Sequence, residues 1–257
     1  MVGQAPVPAV DAGARRAERV RLVAQPVVVV VMVAAVLVWA LTSKLDEIER
    51  AQLTWSNLSN RTEQHVLITV AVAVIVLGVG VPLGVLVTRP WAKFLSPVVV
   101  GIANVGQAAP AVGLLVLFYL ATGQAGFWTG VLPIALYALL PVLRNTILGL
   151  QEVDSSLKEA GRGCGMSSVT VLRRIELPLA VPYILAGLRT ALVLAVGTAT
   201  LVFLVSGGGL GVLIDTGYKL NRTSVLVVGA VLAVALALLV DWLGAVAEKA
   251  LSPKGLS

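Results

Sequence analysis

Residues 159–178 read EAGRGCGMSSVTVLRRIELP, a polar and charged stretch between long apolar runs. Gly161, Gly163 and Gly165 weaken any helix that contains them, and one of them is expected to end a helix in a left-handed turn. Ser167 is a suitable N-cap for a second helix. The stretch therefore predicts two short amphipathic helices joined at a glycine bend, lying outside the bilayer at the entry to a membrane span.

Both ends of this insert contain residues that favour the start or the end of a helix. Asp154, Ser155 and Ser156 are good N-caps, and Ser156 has the capping-box spacing to Glu159. A purely structural role would already explain Glu159, since an acid in the first turn suits the positive end of the helix dipole. Pro178 is expected to stop the second helix, because a proline disfavours helical geometry at the residue before it.

The composition predicts an all-α membrane protein. Hydrophobic residues make up 58% of the 257 residues and charged residues 12%, and the mean hydropathy is +0.96. A span needs about 20 apolar residues. Charge-free runs of sufficient length cover 22–43, 66–88 and 94–143, and two further apolar runs, 184–205 and 224–246, contain one charged residue each, Arg189 and Asp241. The run 94–143 holds two spans with a turn at 122–126. The runs are continuously apolar instead of alternating, which predicts six transmembrane helices and not a barrel.

Basic residues predict the orientation, because Lys and Arg concentrate in cytoplasmic segments. Four arginines precede the first span, within residues 15–21, and six spans would put the insert and both chain ends on that same side. The net charge of +6 is then a topology signal, since no basic cluster interleaves with aromatic residues as in nucleic-acid-binding proteins. The expected layout is a flexible cytoplasmic tail over 1–19, a six-helix membrane domain over 20–250 with the insert at about 152–178, and a cytoplasmic tail over 251–257.

Few residues offer chemistry for catalysis or metal binding. Cys164 is the only cysteine, which excludes an internal disulfide and a thiolate cluster, and His65, the only histidine, is expected to be solvated at the outer mouth of the second span. The run 206–211 (SGGGLG) lacks the lysine of a phosphate-binding loop and is expected to break the fifth helix at its outer end. The sequence predicts no cofactor, no metal and no enzymatic activity, so any ATP hydrolysis would come from a separate chain.

The spacing of the insert resembles the cytoplasmic EAA loop of ABC-importer permeases: E-A-A, three residues, G, nine residues, I, one residue, L-P. Gly161 replaces the second alanine of that pattern. The resemblance implies a type I ABC-importer permease fold in a bacterial inner membrane, with the insert as a coupling helix that docks on an ATPase. The coupling residues it implies are Glu159, Ala160, Gly161, Gly165, Ile175, Leu177, Pro178 and Arg189. Arg189 is expected to anchor the inner end of the fifth span or to pair with Glu159 or Glu176.

Three further stretches, 186–191 (AGLRTA), 197–200 (GTAT) and 208–211 (GGLG), resemble permeases of osmoprotectant importers, which carry glycine betaine, carnitine, choline or proline betaine. Methionine-importer permeases share the EAA-like loop and a similar GGLG, so methionine or another small polar solute stays open as the cargo. The resemblance implies alternating access and three kinds of partner: two ATPase subunits, a second permease that is identical or homologous, and a separate extracytoplasmic substrate-binding protein.

Polar residues inside the spans are the candidates for the substrate path. Buried amides at membrane depth need partners, so they line a water-filled path or bond between helices, and both readings stay open. A channel or a non-transporting scaffold is a third class of function, although no charge ring or filter motif is visible. The candidate path-lining residues are Asn104, Gln107, Tyr119, Tyr137, Thr198, Thr200 and Ser206.

Overall fold

The computed structural model describes residues 12–251, and the secondary structure over that range is entirely helical. The helices are α1 (Ala12–Thr42), α2 (Glu47–Gln52), α3 (Trp55–Val87), α4 (Ser96–Ala108), α5 (Ala111–Thr122), α6 (Phe127–Gln151), α7 (Ser155–Gly163), α8 (Ser168–Val171), α9 (Leu177–Ala199), α10 (Gly211–Lys219) and α11 (Thr223–Leu251). Short 3₁₀ turns cover Lys93–Leu95 and Val202–Val205, and a π-helical turn covers Leu172–Glu176. The predicted all-α class is confirmed.

Five helical segments of the described range are long and apolar enough to cross a membrane: 22–42, 55–87, 127–151, 168–199 and 223–251. A sixth span exists only if α4 and α5 count together, and these two helices are bent by 103°. The break falls at Ala109, which is extended (φ −66°, ψ 141°) because Pro110 follows it. The predicted turn at 122–126 is confirmed, with Gly123 and Gly126 both at positive φ. The third predicted span is therefore a broken element and not a straight helix.

The centre of the bundle is formed by α3, α6 and α9, whose apolar faces pack on each other. Glycines allow close approach here: a Cβ on Gly84 of α3 would lie 2.7 Å from the Thr146 side chain of α6, and a Cβ on Gly187 of α9 would lie 2.7 Å from the Asn145 Cβ of α6. Small residues at such crossings allow helix backbones in membranes to pack closely. Both sides of the insert are thus attached to the most tightly packed part of the molecule.

The outer elements fit around this centre. Helix α11 packs on α9, and α1 packs on α11, where the Trp242 indole donates to the Leu22 carbonyl at 2.7 Å. Helix α1 begins at Ala12, inside the segment 1–19 that was expected to be a flexible tail. Residues 1–11 and 252–257 lie outside the described range, so the rest of both tail predictions is outside it too. The first span is accordingly part of a longer helix than its apolar run indicates.

Candidate functional site

The insert begins at a capped helix. Asp154 is the N-cap of α7, and its carboxylate accepts a hydrogen bond from the Ser156 backbone N–H at 2.8 Å, which lowers the pKa of Asp154. The expected capping box between Ser156 and Glu159 is wrong, because Asp154 occupies the cap and Ser156 is already in the first helical turn. Glu159 and Ala160 are exposed on α7.

The bend after α7 is a Schellman motif with glycine at its left-handed position. Gly165 has φ +80°, its N–H donates to the Arg162 carbonyl at 2.9 Å, and the Met166 N–H donates to the Gly161 carbonyl at 3.1 Å. Ser167 then caps α8 by accepting from the Thr170 N–H at 3.3 Å. The predicted glycine bend and the predicted second cap are both confirmed.

The two arms of the insert touch through Gly161 and Ile175. Gly161 is buried, and a Cβ added to it would lie 2.8 Å from Ile175 Cδ1. The replacement of the second family alanine by glycine thus coincides with a close contact between α7 and the following π turn. Of the other implied coupling residues, Leu177 is half-buried and Pro178 is exposed. The insert is therefore a small packed unit and not an extended loop.

The expectation that Pro178 ends the second helix is wrong. Residues 168–199 form one continuous helical segment, in which the π turn Leu172–Glu176 leads directly into α9. The Leu177 N–H bonds to the Leu172 carbonyl, five residues back, and this wider register accommodates the missing N–H of Pro178 at the start of α9. The insert is joined to a membrane span without any flexible linker.

An ion pair between a half-buried arginine and a buried glutamate, which the sequence analysis did not find, fastens the end of the insert to α3. Glu176 is 4% exposed, and its carboxylate accepts from Arg89 Nη2 at 2.6 Å and from Arg89 Nη1 at 3.3 Å. Arg89 lies directly after α3, and its Nε also donates to the Val85 carbonyl. One signal for the pair was present, since Glu176 is the single acid between Glu159 and Asp215. Any movement of the insert is thereby linked to two spans, α3 and α9.

Arg189 does not pair with Glu159 or Glu176, so that expectation is wrong. Its Nε lies 2.5 Å from Asp241 Oδ1 and its Nη2 donates to Asp241 Oδ2 at 2.9 Å, while Glu248 is 3.9 Å away. Thirteen residues of helix separate Arg189 from Glu176, which is about 20 Å. Arg189 thus joins α9 to α11, and the Gln25 amide of α1 donates to the same Asp241 at 2.9 Å.

The candidate path-lining residues do not form one cluster. Asn104 accepts a hydrogen bond from Arg144 Nη2 at 2.8 Å. The hydroxyls of Thr198 and Thr200 donate to carbonyls of their own helical segment, those of Leu194 and Gly197. Tyr119 and Ser206 are exposed, whereas Gln107 and Tyr137 are half-buried. The structure brings a single one of these candidates, Asn104, next to a charged side chain.

At the far end of the bundle, the glycine run is fixed by α3. His65 is fully buried, which corrects the expectation of a solvated residue. Its Nδ1 accepts from the Leu210 N–H at 3.2 Å, and its Nε2 therefore carries the proton and donates to the Val196 carbonyl at 3.0 Å. Gln64 Oε1 accepts from the Gly209 N–H at 3.0 Å. The expectation that the run 206–211 breaks the fifth helix is wrong, because α9 already ends at Ala199 and a 3₁₀ turn over Val202–Val205 precedes the run.

Comparison with known proteins agrees with this architecture. The family model described as "Binding-protein-dependent transport system inner membrane component" matches residues 80–253. The choline transport system permease protein OpuBB of Bacillus subtilis is 37% identical over 205 residues, which is 80% of this chain and 93% of that protein. The osmoprotectant import permease protein OsmW of Salmonella typhimurium is 37% identical over 204 residues, 77% of this chain and 94% of that protein.

A solved structure shares the fold. The inward-facing MetNI methionine ABC transporter contains a chain that superposes with a TM-score of 0.68 at 24% identity, covering 81% of this chain and 100% of that chain. The type I permease fold expected from the sequence is confirmed by this likeness. The two central spans flanking the insert, α6 and α9, both lie within the stretch that the family model matches.

Proposed function

The chain belongs to the family of binding-protein-dependent transport system inner membrane components, and on that premise we propose that it is the permease subunit of an ATP-driven importer of compatible solutes such as glycine betaine, carnitine or choline. ATP hydrolysis takes place on a separate ATPase chain that binds the 159–178 insert. Two ATPases and a second permease, identical or homologous, complete the machine, and an extracytoplasmic binding protein delivers the solute. The insert and both chain ends face the cytoplasm.

One observation carries this proposal: the insert is a packed unit that is joined directly to two of the central helices. It is continuous with α9 through the π turn, and the ion pair of Glu176 and Arg89 ties its end to α3. A force applied to α7 and α8 therefore acts on two of the three central helices at once. Movement of packed helices between two arrangements is the physical basis of a switch between outward-open and inward-open states.

The cargo is proposed from the relatives. Proteins named for choline, for glycine betaine, carnitine and choline, and for osmoprotectants match most of this chain at 37% identity. Likeness to the methionine transporter rests on 24% identity and supports the fold alone. Methionine thus remains an outcome of the test and not a second proposal.

The test uses two glycines that differ only in backbone conformation. A Cβ on Gly163 or on Gly165 meets no atom within 4 Å, but Gly165 has φ +80°, which a β-branched residue adopts only with strain. We expect Gly165→Val to distort the bend, and Gly163→Val to leave it intact. ATP hydrolysis is measured in vesicles that hold this chain with its ATPase, and the binding protein is added with glycine betaine, carnitine, choline or methionine.

In the wild type and in Gly163→Val, glycine betaine or a related solute should stimulate hydrolysis. Gly165→Val should assemble with the ATPase but lose that stimulation. Stimulation by methionine alone would overturn the cargo while leaving the importer reading intact. Failure of any ATPase to associate, or equal stimulation of both variants, would contradict the coupling role of the insert.

A further inference from the structure

Arg144 is a guanidinium inside a membrane span without a carboxylate partner. It lies on α6, seven residues before the helix ends at Gln151, which is about 10 Å from the insert. Its side chain is exposed, and no acidic side chain in the described part of the chain is within ion-pair distance. The other two arginines at comparable places, Arg89 and Arg189, each hold a carboxylate. Arg144 is thus an exception that needs a separate explanation.

The guanidinium of Arg144 is held by a contact with helix α4. Side chains on a helix point toward its N-terminus, and the N-terminus of α6, Phe127, is the end away from the insert. The Cα–Cβ bond of Arg144 is therefore tilted away from the end of α6 that joins the insert. Asn104 of α4 holds the guanidinium, accepting from Nη2 at 2.8 Å. A charge within a membrane span is costly unless it faces water or a partner.

We propose that Arg144 and Asn104 form a site for the carboxylate of the transported solute; this inference rests on the proposed function. A guanidinium has five N–H donors in a planar fork that matches a carboxylate, and Asn104 accepts only one of them. The amide positions the fork without neutralising its charge. Exposure on the surface of this chain leaves the remaining donors available to a solute that passes between two permeases.

An aromatic residue lies on the same face of α6 as Arg144. Tyr137 precedes Arg144 by seven residues, which is two helical turns and about 10 Å on the same face. It is half-buried, and an aromatic face attracts a quaternary ammonium group. A single positive charge attracts a carboxylate and repels a free cation, so the site favours zwitterions and carboxylates over choline. The site is one charge on an exposed surface, which lets the cargo leave.

The test places a reporter thiol beside the site in the assembled transporter. Cys164 is the only native cysteine, so Cys164→Ser with Leu148→Cys leaves one thiol, one turn from Arg144 on an exposed position. A hydrophilic thiol reagent is added to vesicles in the presence of glycine betaine, carnitine, methionine or choline. We expect the three carboxylates to slow labelling and choline to have no effect.

Two variants make the result specific. Arg144→Gln should raise the concentration of carboxylate needed for half-protection by roughly tenfold, the loss expected for one charge-assisted contact. Asn104→Asp places a carboxylate inside the fork, so it should strengthen the contact between α4 and α6 and yet abolish protection by solutes. Assembly with the ATPase is checked for each variant, and the second variant decides if the first fails to fold.

Several outcomes would overturn the inference: a reporter that the reagent never reaches, protection by choline equal to that by glycine betaine, or protection that survives Asn104→Asp. Labelling that follows the anionic lipid content of the vesicles instead of the solute would show that the guanidinium binds lipid phosphate. Protection by methionine alone, dependent on Arg144, would support the carboxylate site while removing the proposed cargo. The two proposals therefore fail separately.

Discussion

The insert at 154–178 and the glycine run at 206–211 are both bends beside a membrane span, but different contacts hold them. Within the insert, the bend hydrogen bonds join residues at most five apart, such as Met166 and Gly161. The glycine run is held by Gln64 and His65, which are 145 residues away from Gly209 and Leu210. The insert thus takes the shape of its bend from its own residues, and only its end is tied to α3 through Glu176, whereas the glycine run depends on α3 for the bend itself.

This difference suits the two ends of a transporter. The ion pair of Glu176 with Arg89 and the π turn connect the insert to α3 and α9, as the proposed coupling role requires. The glycine run locks the end of α9 to α3, and Gly211 lies directly against the Thr200 carbonyl, where no side chain fits. The comparison therefore predicts that substitutions in the run act on folding, while substitutions in the insert act on coupling.

The largest effect is expected for Gly211→Ala. A Cβ at this position would overlap the Thr200 carbonyl oxygen, which is backbone and has no rotamer to change. The matched control is Gly197→Ala, since a Cβ there meets nothing within 4 Å and alanine favours the helix by about 1 kcal/mol. We expect no monodisperse protein in detergent for Gly211→Ala and normal yield for Gly197→Ala. Equal yields would show that the chain reversal is looser than the structure indicates.

A smaller effect is expected for His65→Leu, which keeps the volume but removes both hydrogen bonds of the ring. The Leu210 N–H and the Val196 carbonyl would lose their partner, at about 1–3 kcal/mol for each buried group. The thermal midpoint in detergent should fall, and amide exchange at Leu210 should quicken. Gln64→Leu removes one bond, that to the Gly209 N–H, and should do less. An unchanged exchange rate at Leu210 in His65→Leu would contradict the role of His65 in holding the glycine run.

The same contrast explains what the sequence could predict. The glycine bend, the Ser167 cap and the turn at 122–126 depend on neighbouring residues, and all three were predicted. His65 and Arg189 were misplaced because their partners, Leu210, Val196 and Asp241, are set by how helices pack. No local pattern records such packing.

Two predictions inside the insert were wrong for different reasons. Ser156 had the spacing of a capping box, but Asp154 two residues earlier competes for the same orphan N–H groups and takes the cap. Pro178 is a strong local stop signal, and the π turn overrides it because α8 packs against α7 and continues into α9. The Ser156 error thus comes from a competing local cap, and the Pro178 error comes from packing.

The smallest effect is expected at Asp154. Its pKa is lowered by the hydrogen bond from the Ser156 N–H, so the cap stabilises α7 above the usual carboxyl pKa and is lost as the pH falls through the lowered value. Protection of the Ser156 amide against exchange should therefore fall in acid. Asp154→Asn caps as well but does not titrate, so its protection should be independent of pH.

Asp154→Ala should lack that protection at every pH and should leave exchange at Gly209 and Leu210 unchanged. This last measurement decides the comparison, because the insert and the glycine run lie at opposite ends of α9. If Asp154→Ala altered exchange in the glycine run, a cap of local origin would reach the far end of the bundle. The two bends would then be coupled to each other, and the insert and the glycine run could not be treated as independent parts of the molecule.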